Sequence, residues 1–126
     1  MDKVLNEICI RCNYICNAIH FQQNFKNWTS GNNDIDKFIQ DAQLLTHTDY
    51  ALRFVLEWIP YDRFYNIIYI TKSGFGKVCR ANWIDGCIDK WDDKSQRWKR
   101  NYQSMLVDLK GLNNLKNITL EFMNEV

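Results

Sequence analysis

A single proline, Pro60, separates two kinds of periodicity in this chain of 126 residues. Upstream, apolar residues return at steps of three and four, the spacing of a helix face. Downstream they cluster in short aromatic and β-branched runs, which suit strands. A residue that precedes proline is pushed out of helical geometry, so the helical part must end at about Pro60. The fold class this implies is α+β, with a helical leader over residues 1–60 and a strand-bearing unit over residues 61–126.

In the leader, residues 1–25 read as one helix. Cys9, Cys12, Cys16 and His20 follow one another at steps of three and four, with Val4, Leu5 and Ile8 before them and Phe21 and Phe25 after. Four such ligands are the number that zinc takes in a closed tetrahedral site. On one straight helix they span about 16 Å, whereas zinc ligands converge within about 2.3 Å of the ion. The direct reading is therefore a core stripe, and zinc requires the segment to fold back on itself. Thr29 to Asn33 break the period, and Asn32 or Asn33 caps a second helix that starts near Asp34. Ile35, Phe38, Ile39, Ala42 and Leu45 form its apolar face, with Asp34 and Asp36 at its positive end. Thr46 to Asp49 read as a connector, in which His47 has no companion nucleophile. A third helix is expected from Tyr50 to Trp58.

Beyond Pro60, strands are expected over Phe64 to Ile70, Val78 to Trp83 and Met105 to Leu109, all antiparallel. Between the second and third lies a long insert, Asp85 to Ser104, read as a protruding hairpin or loop that carries Trp91 and Trp98. A last helix is expected from near Asn117. Trp98 among the basic residues of Lys94 to Arg100 has the composition of a stacking site for single-stranded nucleic acid, but a charged hairpin tip is the preferred explanation. A net charge of +1 gives no global attraction to nucleic acid or anionic membrane, and neither is expected as a partner. Five cysteines, an odd number, with no secretory leader and no run of about 20 apolar residues, lead to the expectation of a cytoplasmic protein with reduced thiols.

The run Ile70-Thr71-Lys72-Ser73-Gly74-Phe75-Gly76-Lys77-Val78 places small residues at a strand-to-strand turn, where backbone amides can approach phosphate oxygens. A plain hairpin that needs glycine is the alternative explanation. Lys110 ends the strand-like Val107-Asp108-Leu109-Lys110 and shares a face with Asp108. Glu125 follows one expected helix later. Glycine turn, strand lysine and helix glutamate, in that order, are the parts of an ATP-holding lobe: amides over the phosphates, a cation on them, and a carboxylate that aims the cation.

With those residues in view, segment 64–126 resembles the amino-terminal lobe of a eukaryotic protein kinase, nearest to the tyrosine-kinase-like branch. Ser-Gly-Phe-Gly-Lys-Val-Cys-Arg-Ala stands for its loop, Val-Asp-Leu-Lys for its lysine strand and Glu-Phe-Met-Asn-Glu-Val for its regulatory helix. The leader, with His-Phe-Gln-Gln-Asn-Phe-Lys-Asn-Trp-Thr-Ser-Gly-Asn and Leu-Glu-Trp-Ile-Pro-Tyr-Asp-Arg-Phe, is similar to that of an expanded group of fungal kinase-like proteins. The resemblance implies a partial kinase lobe of three strands and the start of the regulatory helix. In it Gly74, Phe75 and Gly76 lie over the phosphates of ATP, Val78 touches adenine, Lys110 binds phosphate and Glu125 pairs with Lys110. Thr71 and Ser73 replace two glycines, and Asp108 stands where the family has alanine, which implies weak or lost ATP binding. The family's catalytic base and magnesium ligands belong to a second lobe outside these residues, so this polypeptide is expected to lack activity by itself, and magnesium to bind only with that lobe. The alternative is a pseudokinase-type module that docks on a protein partner, such as a full-length kinase, without nucleotide.

Overall fold

The computed structural model describes residues 8–74, 76–112 and 120–123. Among these residues two helices, α1 (Asn17–Asn24) and α2 (Asn33–Leu44), precede six strands: β1 (Phe64–Ser73), β2 (Gly76–Trp83), β3 (Cys87–Asp92), β4 (Arg97–Asn101), β5 (Met105–Leu112) and β6 (Leu120–Met123). β1, β2, β5 and β6 form one antiparallel sheet in that order, and β3 and β4 form a separate hairpin. The class is α+β. No described helix is long and apolar enough to cross a membrane.

Two compact units divide the chain, one of Met1–Pro60 with Ile88–Arg100 and the other of Tyr61–Cys87 with Asn101–Val126. The insert between β2 and β5 is thus a hairpin that folds with the leader rather than protruding. Its Ile88 and Trp98 pack with Phe21, Phe25, Leu52 and Val55. Trp98 lies 4.5 Å from the Phe21 ring, centroid to centroid, and Trp91 stacks on His20 at 3.9 Å. At the hairpin tip Asp92 accepts hydrogen bonds from the Lys94 amide (3.1 Å) and the Ser95 hydroxyl (2.8 Å), a side-chain-stabilised turn that sets the register.

The leader is less helical than its periodicity suggests. Among the described residues, helix begins only at Asn17, because Cys9 to Cys16 form turns, with Asn13 in the left-handed region at φ 64°. α2 starts as expected, with the Asn32 side chain accepting from the amides of Asp34 (2.9 Å) and Ile35 (3.1 Å). It buries Ile39 and Gln43, whereas Phe38 and Leu45, expected inside, are exposed. The third helix shrinks to a 3-10 turn, Ala51–Phe54, after which Val55 is extended. Extended backbone wins there because it has partners in the same unit. The buried Gln43 amide donates to the Leu56 carbonyl at 2.8 Å, and Arg100 grips the Glu57 carboxylate with two nitrogens at 3.2 and 2.6 Å.

In the second unit the strand period decides which residues go inside. Ala81 and Trp83 of β2 and Val107 and Leu109 of β5 are buried and alternate with outward-facing Arg80, Asn82, Leu106 and Asp108. Arg63 closes the open end of the β1–β2 ribbon: its guanidinium holds Asp85 at 2.6 and 3.1 Å, and its carbonyl accepts from the Ile84 amide at 3.0 Å. The helix expected from near Asn117 is not found over 120–123, where β6 runs antiparallel to β5. Leu-Glu-Phe-Met alternates apolar and polar residues over three of its four positions, and the free edge of β5 supplies the backbone partners that complete the ladder.

Gly86 lies in the left-handed region (φ 77°), and a Cβ there would stand 2.2 Å from the Asn101 carbonyl oxygen. A side chain at Gly74 would meet nothing within 4 Å. Gly86→Ala is therefore expected to destabilise the fold by more than about 1 kcal/mol, read as a lowered thermal midpoint, while Gly74→Ala leaves it nearly unchanged.

Candidate functional site

Strand pairing fixes where the sheet residues of interest stand. In β2 and β5 Val78 is opposite Lys110, Arg80 opposite Asp108 and Asn82 opposite Leu106. Directly opposed residues of antiparallel strands share a face, so Val78, Arg80, Asp108 and Lys110 lie together. That face is the reverse of the buried one. Asp108 pairs with the Arg80 guanidinium at 3.2 Å, so the carboxylate that shares a face with Lys110 is engaged by another cation. Its side chain is 18% exposed and that of Arg80 50%, which places the pair at the surface, where it adds little stability. Ser73 pairs with Gly76, so the strands continue up to a two-residue connection that includes Gly74, and Gly76 has a φ of 141°. Phe75 and Glu125 lie outside the described residues, and the expected pairing of Glu125 with Lys110 lies outside them too. In register, the residue opposite Lys110 on β6 is Glu121.

A second constellation lies in the first unit. Cys9, Cys12 and Cys16 meet at one point, and the imidazole that joins them is His47, not His20. The Nδ1 of His47 lies 3.5 Å from the Cys9 sulfur, 3.4 Å from that of Cys12 and 3.3 Å from that of Cys16. All four atoms fall within 4.8 Å of one another. The turns after Cys9 make this possible: the Asn13 amide donates to the Cys9 carbonyl (2.7 Å), and the Cys9 amide to the Tyr14 carbonyl (3.0 Å). The reversal brings Cys9 and Cys12 beside Cys16, the residue that precedes α1, where the positive end of the helix favours a negative ligand. From the other side the Asn17 amide donates to the His47 carbonyl (3.4 Å) and the Asn17 side chain to Asp49 (3.0 Å), which holds the connector after α2 against the start of α1.

The thiols differ in acidity. The Cys12 amide, 3.4 Å from the Cys9 sulfur, holds the Cys9 thiol below its ordinary value. Burial, with the neighbouring sulfurs adding to it, pushes the Cys12 thiol up to about 11. Crowded thiolates repel one another, and a cation among them removes that penalty.

His20 is turned away from this cluster. It is sandwiched flat against Trp91 and edge-on to Trp98, at 6.1 Å, and its Nδ1 is buried with no hydrogen-bond partner. The helical steps that grouped it with the cysteines do not exist, because α1 starts after Cys16. His47 was legible only as a polar residue in a short connector. The Cys-x-x-Cys spacing of Cys9 and Cys12 was the one local hint that the segment reverses.

Comparison with known proteins yields no matching family model, no matching curated protein and no matching solved structure.

Burial holds the His20 pKa below its ordinary 6.5, against the opposing pull of Asp93 and Gln23. The unfolded chain therefore binds this proton more readily than the folded one, and stability that is complete above pH 6.5 falls as the pH drops through that value. The decline in thermal midpoint between pH 7 and 5 should be shallower in His20→Phe, which keeps a ring against Trp91 and has no proton to gain.

Proposed function

We propose that the sheet of the second unit is the nucleotide-holding part of a protein-kinase-like chain, from a family that transfers phosphate from ATP to protein hydroxyls. The observation that carries this reading is the opposition of Val78 and Lys110 on one face, next to the Gly74–Gly76 turn. A β-branched side chain for the base, an ammonium for the phosphates and a glycine turn whose amides face anions are the parts such a lobe uses. With Asp108 held by Arg80, Lys110 does not have to neutralise it. The chain's own residues bind and orient; the proton acceptor for the substrate hydroxyl and the ligands for magnesium would come from a second lobe. The polypeptide by itself is then a binder of ATP without turnover.

Two observations favour a second reading, a non-catalytic module that docks on another protein, such as a full-length kinase. β6 occupies sequence where the resemblance implies the regulatory helix, and the Arg80–Asp108 pair occupies part of the face that adenine would need. Titration with a fluorescent ATP analogue separates the two. The nucleotide reading expects saturable binding that falls at least tenfold in Lys110→Ala, a loss of about 1.4 kcal/mol or more. Absence of binding at millimolar nucleotide overturns it in favour of the docking module, and equal binding by Lys110→Ala overturns it by making that lysine an ordinary surface charge.

A further inference from the structure

The first unit carries a cluster whose geometry is set by something other than helix packing. We propose that Cys9, Cys12, Cys16 and His47 form a structural zinc site that staples the amino-terminal turns to the connector after α2. The inference is independent of the nucleotide reading, since it uses no residue of the sheet.

The distances are the first argument. A tetrahedral zinc with sulfurs at about 2.3 Å and nitrogen at about 2.0–2.1 Å sets each sulfur about 3.5–3.6 Å from the nitrogen, and two sulfurs about 3.8 Å apart. The three sulfur-to-Nδ1 distances of 3.5, 3.4 and 3.3 Å fall at or just inside the first separation, and the outer limit of 4.8 Å accommodates the second. One imidazole nitrogen can share a conventional hydrogen bond with one thiol; three sulfurs converging on it at nearly equal distance is the arrangement of ligands around a common centre. All five cysteines of the chain are free thiols, so no disulfide competes for these sulfurs.

Donor chemistry selects the ion. Three thiolates and an imidazole are the soft and borderline ligands that zinc takes in closed sites, and hard cations such as magnesium and calcium prefer oxygen. Four protein ligands, with Cys9 and Cys16 buried, leave no open coordination position, which makes the site structural rather than catalytic. On binding, the three thiols release their protons to solvent and the sulfurs become thiolates, giving a centre of net charge −1 with no change of oxidation state. The Cys12 amide that donates to the Cys9 sulfur and the Asn17 bonds to His47 and Asp49 are the outer contacts that orient these ligands.

A small unit gains from such a staple. Cys9, Cys16, Ala18 and Ile19, with Cys12 against them, make a cluster of five side chains in which Ile19 is the one large apolar group. Apolar burial on that scale does not order a turn-rich segment, and a metal centre contributes folding free energy directly.

The test uses the full chain, purified under reducing conditions from zinc-supplemented medium. Elemental analysis is expected to give one zinc per chain, and the metal-free chain titrated with cobalt(II) to give the visible absorption of a tetrahedral thiolate complex at one equivalent. His47→Cys should keep one metal per chain and shift the cobalt bands as a fourth sulfur enters. His20→Ala should keep the wild-type stoichiometry and spectrum, and Cys16→Ser should lose the tetrahedral bands. Zinc well below one per chain together with no tetrahedral cobalt spectrum overturns the proposal, as does loss of the metal in His20→Ala with retention of the wild-type spectrum in His47→Ala. Because His47→Cys tests for retained metal, a variant that merely fails to fold cannot imitate the expected result.

Discussion

Three sulfurs can meet one imidazole only if the chain between Cys9 and Cys16 gives up the helix, and the first unit is organised around that reversal. An unbroken helix would carry Cys9 and Cys16 two turns apart along its axis. The left-handed Asn13 and the paired backbone groups of Cys9 and Tyr14 turn the segment back instead. α1 then begins at Asn17, held to the connector by the His47 carbonyl and by Asp49. With that start fixed, His20 and Phe21 point to the β3–β4 hairpin, where Trp91 and Trp98 receive them.

In the second unit the equivalent constraint is the parity of the pleat. Once Ala81, Trp83, Val107 and Leu109 are buried, Val78, Arg80, Asp108 and Lys110 have no choice but the opposite face. The chemistry proposed for this sheet is a consequence of that parity. The same rule places Arg80 opposite Asp108, so the carboxylate that stands where the family has alanine is paired by a residue the motif does not mention. The two proposals thus concern different units and different chemistry: soft ligands in the turns of the leader, and a charged face on the sheet.

Much of the second unit was legible because strands announce themselves locally. Phe64 to Ile70, Val78 to Trp83 and Met105 to Leu109 each form within a longer strand, and the α2 cap at Asn32 follows from one side chain and two amides. The leader was harder because helical spacing is also the spacing of a metal knuckle followed by a helix start. Cys9, Cys12 and Cys16 satisfy both, and only the second requires a distant residue. The Tyr50 to Trp58 helix failed for a similar reason: Gln43 takes the Leu56 carbonyl from 13 residues upstream and Arg100 takes the Glu57 carboxylate from 43 residues downstream, beyond the reach of local period. Residues 120–123 turned to strand because the edge of β5 stood open beside them.

The sequence by itself determined the α+β class, the main strands of the sheet and the face that carries Lys110, since each depends on propensity and period over a few residues. Tertiary structure decided that the β3–β4 hairpin belongs with the leader, that His20 is buried against tryptophan, and that His47 is the fourth member of the cysteine cluster. Those outcomes depend on pairs such as Cys9 and His47, or Phe21 and Trp98, separated by dozens of residues. Local periodicity carries no information about which distant side chain will arrive, and it is the folding of the whole unit that chooses it.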